Sequence, residues 1–79
     1  MNTKTDTITK LLYEKYGTLL IKTADAAKEL NRTELSLIRD RAHGRGLPYI
    51  KHSHTVQGRV YYDVVEIAKF IAADTVLAG

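Results

Sequence analysis

The chain has 79 residues, of which 44% are hydrophobic and 27% are charged, and its formal net charge is +3. This composition is typical of one small globular domain, whose thin core leaves little room for a large catalytic cleft. The sequence has no cysteine, which excludes disulfides, thiolate metal sites and cysteine nucleophiles. It also has no apolar run near the roughly 20 residues that span a bilayer, and no signal-peptide pattern at its start. We therefore expect one cytoplasmic domain over residues 1–79, with a core over about 7–73, short flexible tails and no membrane contact.

Positive charge is concentrated in the middle of the chain. The stretch from Arg32 to Arg59 holds six basic and two acidic residues, and it contains all five arginines of the protein. A guanidinium presents a planar set of donors that matches phosphates and guanine edges. The stretch therefore indicates a polyanionic partner, and an arginine-rich solvated loop is the alternative interpretation.

The first residues predict a helix followed by an extended segment. Asp6 or Thr7 is expected to cap a helix that continues through Tyr16, because apolar residues recur in it at spacings of three and four. Gly17 supplies the left-handed residue with which many helices end. Residues 18–22 are mostly apolar and too few for a helix, so they predict a short strand.

Two short helices are predicted next. Thr23 is expected to cap the first, over 24–30, whose alanines would let a neighbouring helix approach closely. Thr33 is expected to cap the second, which runs from Glu34 to about His43. Spacings of three and four predict that this helix buries Leu35, Ile38 and Ala42 and turns Leu37 outward or sideways.

A hairpin and a last helix complete the predicted elements. Residues 49–52 and 59–62 flank a polar tip that contains Gly58, which is typical of a β-hairpin. Asp63, with Glu66 three residues later, predicts the start of a helix that continues to about Ala73. Its predicted buried stripe consists of Val64, Ile67, Ala68 and Ile71.

Two adjacent short helices followed by a hairpin predict a winged helix-turn-helix, a mainly α domain with a small β-hairpin (α+β). In such a domain the second helix enters the major groove of DNA and the hairpin follows the backbone. Candidate contacts from the recognition helix are Arg32, Thr33, Glu34, Ser36 and Arg39. Candidate phosphate and wing contacts are Arg41, Arg45, Lys51, His54, Gln57 and Arg59. The alternatives are a plain helical hairpin of a small bundle and a surface hairpin that is polar because it is solvated.

Several short motifs also carry a family resemblance. They are Thr23-Ala-Asp-Ala-Ala-Lys-Glu-Leu30, Gly46-Leu-Pro48, Gly58-Arg-Val-Tyr61 and Asp63-Val-Val-Glu-Ile-Ala-Lys-Phe70. With them the chain resembles the excisionase/MerR-like winged helix-turn-helix domains. Leu11-Leu12, Tyr16-Gly17 and the segment around Ile21 are further similar to the pyocin-activator-type phage regulators. The resemblance spans residues 11–73, and it departs from the pattern at Asp40-Arg41, where many relatives have another apolar pair.

That resemblance implies a double-stranded DNA-binding protein of a phage or other mobile element. It would act as a transcriptional regulator or as an excisionase-like recombination directionality factor. Apolar residues off the buried stripe, namely Val65, Phe70, Val76 and Leu77, suggest self-association, as a homodimer or a cooperative assembly on DNA. Polymerase or a recombinase is a further expected partner. The alternative function is a winged-helix interaction module that binds a host or phage protein.

Metal binding and catalysis are not favoured by the sequence. His52 and His54 would share one strand face, and His43 or Asp63 would be needed as a third ligand. Histidines beside arginines are better explained as solvated or groove-lining residues. No nucleophile motif is present, and Gly44-Arg-Gly46 is too short for a phosphate-binding loop. We therefore expect no cofactor, no metal and no enzymatic activity.

Overall fold

The computed structural model describes residues 3–51 and 59–73, and within these ranges it has four helices and three strands. They are α1 (Thr3–Tyr16), β1 (Leu20–Lys22), α2 (Thr23–Glu29), α3 (Glu34–Ala42), β2 (Ile50–Lys51), β3 (Val60–Asp63) and α4 (Val64–Ala73). The strands form one antiparallel sheet in the order β1–β3–β2. Ile21 lies opposite Tyr62, and Ile50 lies opposite Tyr61. The prediction of a mainly helical α+β domain is confirmed.

The first helix begins earlier than the sequence predicts. It starts at Thr3, so Asp6 lies inside its first turn. The hydroxyl of Thr7 donates to the carbonyl of Thr3 at 3.0 Å, and a threonine bonded in this way satisfies a carbonyl four residues back instead of capping an N–H. The predicted end is confirmed, because Gly17 has a φ of 69° and donates its N–H to the carbonyl of Tyr13.

The core lies where α1 and α4 pack together and where the sheet meets α2 and α3. Its buried members are Leu12, Ile21, Ala26, Ala27, Leu37, Tyr62, Val64, Ile67 and Ala68. Each fully buried large aliphatic side chain contributes about 1.5–3 kcal/mol relative to an exposed one. Nine residues from six elements therefore hold all four helices to one sheet. None of the helices in the described ranges is both long and apolar enough to cross a bilayer.

The last helix matches its prediction closely. A side-chain oxygen of Asp63 accepts a hydrogen bond from the N–H of Val65 at 2.8 Å. The N–H of Val64 donates to the carbonyl of Leu19 at 2.9 Å, which fixes the start of α4 beside β1. Val64, Ile67 and Ala68 are buried, and Ile71 packs partly buried against the same core.

Candidate nucleic-acid interface

Helices α2 and α3 are joined by a tight connection over residues 30–33. The N–H of Arg32 donates to the carbonyl of Ala27 at 2.9 Å, and Asn31 adopts a left-handed φ of 56°. This geometry stops α2 and turns the chain into α3. The hydroxyl of Thr33 then accepts from the N–H of Ser36 at 3.1 Å, so the predicted cap of α3 is confirmed. The small Ala27 is buried in the same cluster as Leu37 of α3, which allows the two helices to pack closely.

The predicted rotation of α3 is wrong. Leu35 is 54% exposed, Ile38 is 41% exposed and Ala42 is exposed, whereas Leu37 is only 2% exposed. Leu37 points about 160° around the helix from Leu35, because successive residues are separated by about 100°. The predicted apolar stripe therefore exists, but it lies on the solvent side of the helix.

Arg41 occupies the inner face of α3 together with Leu37. Its guanidinium donates to the hydroxyl of Thr23 at 3.1 Å and to the hydroxyl of Tyr62 at 3.0 Å. It also lies 5.7 Å from the ring centre of Tyr49 and 5.9 Å from that of Tyr62. Arg41 thus ties α3 to α2 and to the sheet, and the structure places this predicted phosphate contact inside the fold.

The same contact corrects the predicted start of α2. Lys22 is the N-cap residue of that helix, without a side-chain capping bond, and Thr23 is its first helical residue. The Thr23 side chain is buried, and its oxygen accepts from Arg41 instead of from an N–H of its own helix. A long-range hydrogen bond has replaced the local cap that the sequence predicts.

Asp40 neutralises two other arginines. It lies 2.8 Å from Arg32 Nη2 and 3.4 Å from Arg45 Nε. The hydrogen bond from Arg32, more than the one from Arg45, holds the pKa of the Asp40 carboxyl below its ordinary value. Gly46 lies so close that a Cβ there would be 2.9 Å from the Asp40 Cβ, and its φ of 92° suits glycine alone. Arg32 also donates to the hydroxyl of Ser36.

Several other exposed cations have no ion-pair partner within the described segments. Arg39, Arg59, Lys22 and Lys51 are exposed, and no side-chain hydrogen bond or ion pair joins them to another residue of the described segments. Lys22 and Arg59 line one groove of about 390 Å³. Its other lining residues are Thr23, Ala24, Glu34, Val60 and Tyr61, so α2, α3 and β3 meet there. Unpaired cations from separate elements can hold an anion without first breaking internal salt bridges.

The other residues predicted to bind DNA, a second copy or a metal lie partly inside and partly outside the described segments. Thr33 and Ser36 are engaged in the start of α3, and Glu34 is exposed at the groove. Val65 is half-buried and Phe70 is 42% exposed. His52, His54, Gln57, Val76 and Leu77 lie outside the described residues. Among residues 3–51 and 59–73, no three His, Cys, Asp or Glu side chains are grouped as a metal site would require.

Three features of this region could not be predicted from the sequence. Lys22 was not a candidate, because only the pairing of β1 with β3 brings it beside Arg59. Leu35 and Ile38 were assigned to the core, and their spacing alone carries no signal of the side they face. The polar partners of Arg41, 18 and 21 residues away, are equally invisible to local patterns.

Comparison with known proteins identifies no relative of this chain. No protein-family model matches the chain, and no curated protein or solved structure shows significant similarity to it.

Proposed function

We propose that this protein binds duplex DNA as a winged helix-turn-helix domain. In this proposal α2 and α3 are the helix-turn-helix, α3 enters the major groove, and the hairpin of β2 and β3 is the wing. The observation that carries it is the groove where the starts of α2 and α3 meet β3, lined by Lys22 and Arg59, which have no ion-pair partner within residues 3–51 and 59–73. A DNA backbone presents a regular row of phosphates, which cations on separate protein elements can contact together.

In this proposal the cations that contact DNA differ from the arginines that the fold already engages. Arg39 on the solvent face of α3 is the base or near-base contact, and Arg59, Lys51 and Lys22 contact phosphates. Arg41 is not assigned to DNA because its guanidinium is held by Thr23 and Tyr62. Arg32 and Arg45 would have to leave Asp40 to reach a phosphate, which reduces their expected contribution.

The biological role follows the family resemblance. We propose a transcriptional regulator or an excisionase-like factor of a phage or other mobile element. The three phosphate contacts of Arg59, Lys51 and Lys22 give weak binding at physiological salt, because each contact releases only about one counterion. We therefore also propose a homodimer or a cooperative row of protomers on DNA, with polymerase or a recombinase as a protein partner.

The test is a fluorescence-anisotropy titration of random duplex DNA and of DNA from the region of the protein's own gene, at about 50 and 200 mM salt. Arg59→Ala should weaken binding and lower the slope of log K against log salt by about one, and Arg39→Ala should weaken binding and reduce the preference for the protein's own DNA. Lys10→Ala, which removes an exposed charge from α1, is the matched control and should leave the slope unchanged. Absence of binding to both duplexes at low salt would refute the proposal.

A second candidate function is a protein-interaction module, and Phe70 is the observation that favours it. Phe70 is 42% exposed and lines a groove of about 230 Å³ with Glu29, Leu30, Asn31 and Ile71. An exposed aromatic ring beside aliphatic side chains is typical of an interface anchor. Loss of a partner in Phe70→Ala, with DNA binding insensitive to Arg39→Ala and Arg59→Ala, would favour this function over DNA binding.

A further inference from the structure

The solvent face of α3 is apolar although the fold does not use it. Leu35, Ile38 and Ala42 lie within about 60° of one another around the helix, at spacings of three, four and seven. Leu35 is 54% exposed and Ile38 is 41% exposed. The core contact of α3 is made by Leu37 on the opposite side. Large aliphatic side chains at adjacent exposed positions of one helix indicate a surface that meets an apolar group of a partner.

The charge around this face indicates what kind of partner it meets. Arg39 lies on the same side as Leu35, four residues later, and its side chain has no ion-pair partner in the part of the chain that the structure describes. Lys22 and Arg59 line the groove that also includes Glu34, the residue before Leu35. An apolar strip bordered by uncompensated cations complements a polyanion that carries small apolar groups. In the major groove of DNA, the thymine 5-methyl is the apolar group among the hydrogen-bonding base edges.

We infer that Leu35 and Ile38 read thymine 5-methyl groups, so that this protein selects duplex sites with thymines in the major groove that α3 occupies. The inference rests on the proposed DNA-binding function and adds the chemistry by which sites are chosen. Neither side chain has a donor or acceptor, so neither can recognise a base through a hydrogen bond. Arg39, whose guanidinium matches phosphates and guanine edges, supplies the polar part of the same contact.

Replacement of thymine by deoxyuridine tests this directly, because it removes the methyl group and leaves every hydrogen-bonding atom of the base in place. A duplex is first selected by the protein from a random pool, and it is then resynthesised with deoxyuridine at each thymine in turn and at all thymines together. Loss of one buried methyl group should weaken binding about threefold to fivefold at each thymine that is read. Thymines outside the contact serve as internal controls and should show no change.

Variants then assign the effect to its residues. Leu35→Ala and Ile38→Ala should each remove the deoxyuridine effect at one or more positions while the salt slope stays unchanged. Arg59→Ala, at a proposed phosphate contact, should do the reverse, with a lower salt slope and a preserved ratio between thymine and deoxyuridine duplexes. Leu11→Ala, at a residue of α1 that is 59% exposed, is the matched control for loss of a surface leucine. Melting temperatures of all four variants establish that the fold is intact.

The outcomes separate the inference from the proposed function. Sequence-specific binding that is indifferent to deoxyuridine overturns the inference and leaves DNA binding standing. A deoxyuridine effect that persists in both Leu35→Ala and Ile38→Ala overturns the assignment to this face. If those variants instead convert a dimer to a monomer in sedimentation and the ratio stays unchanged, the face binds a second copy and the inference fails. No binding to any duplex overturns the proposed function and the inference with it.

Discussion

Helices α3 and α4 carry similar apolar patterns and use them in opposite ways. In α4 the residues at spacings of three and four face inward, and Ile67 and Ala68 are fully buried. In α3 the corresponding residues Leu35 and Ile38 face solvent. Both helices are amphipathic in sequence, yet only α4 packs its apolar side against the core. An apolar stripe therefore does not tell by itself whether the face that it marks is buried or exposed.

The physical difference lies in what each helix meets. The start of α4 is fixed beside β1 by the N–H of Val64, and its length packs against α1, so its inner face is entirely apolar. The inner face of α3 packs on the short α2 through the buried Leu37 and reaches Tyr62 of the central strand β3 through Arg41. Arg41 occupies the rest of that inner face, because two hydroxyls and two tyrosine rings surround its guanidinium.

The largest expected effect is on the free energy of unfolding, and it compares one isoleucine of α4 with one of α3. Ile67→Ala should lower the free energy of unfolding by about 3–5 kcal/mol, since the side chain is fully buried and leaves a cavity. Ile38→Ala should cost less than about 1 kcal/mol, because its side chain is already 41% exposed. Urea denaturation followed by circular dichroism measures both values. Equal losses would mean that the outer face of α3 is covered and that the comparison fails.

The same contrast between a buried and an exposed side chain can be tested within α3, by comparing Leu37 with Leu35. We expect Leu37→Ala to lower the free energy of unfolding by about 2–4 kcal/mol and Leu35→Ala to change it by about 0.5 kcal/mol or less. The reason is that Leu37 is 2% exposed while Leu35 is 54% exposed. Thermal unfolding of both variants checks this, and a larger loss for Leu35→Ala would restore the rotation predicted from the sequence.

Two arginines of α3 provide a smaller but more specific contrast. Arg41→Ala should cost about 1–3 kcal/mol of unfolding free energy, because it leaves the hydroxyls of Thr23 and Tyr62 without their charged donor. Arg39→Ala should cost about 0.5 kcal/mol or less, since no described side chain depends on it. Chemical denaturation gives the stabilities, and the DNA titration should rank the same variants in the opposite order.

The smallest effect concerns the Asp40 carboxylate. Its pKa in the folded protein lies below the ordinary value of 3.8, chiefly because Arg32 donates to it. The folded state therefore binds fewer protons than the unfolded state, so the stabilisation is present above pH 3.8 and is lost as the pH falls through the folded pKa.

Asp40→Asn should accordingly lower the melting temperature near neutral pH, and its difference from wild type should shrink below about pH 4. High salt should also reduce the difference, because the ion pairs are accessible to solvent. Glu14→Gln, at an exposed carboxyl of α1, is the control for loss of one negative charge. A difference that stays constant across this pH range would show that the two arginines do not stabilise the fold through Asp40.

Local features of the fold were predictable because a few neighbouring residues determine them. Thr33 caps α3, Asp63 caps α4 and Gly17 ends α1, and each does so through a partner within four residues. The predicted start at Asp6 or Thr7 and the predicted cap at Thr23 were wrong. In both cases the hydroxyl found a different partner, on an earlier carbonyl for Thr7 and on Arg41 for Thr23.

The candidate site was predictable only in its composition. The concentration of arginines in one stretch is visible in the sequence, but their availability is not. Arg41 turns inward, Arg32 and Arg45 share Asp40, and Arg39 and Arg59 have no ion-pair partner among residues 3–51 and 59–73. A long charged side chain bonds whichever group the fold brings within reach, so its partner depends on contacts between distant segments.

The sequence alone predicts the order of helices and strands, the caps at Thr33 and Asp63, and an apolar stripe on both α3 and α4, since spacing and capping act within one or two turns. Contacts between distant segments set which side of α3 is covered, which arginines lack an ion-pair partner in the part of the chain that the structure describes, and that Lys22 lies at the same groove as Arg59. Burial is a relation between elements, and a helix buries the face that fits the space left by its neighbours. In this protein that space accepted Leu37 and Arg41, and the more apolar face of α3 lies on the solvent side.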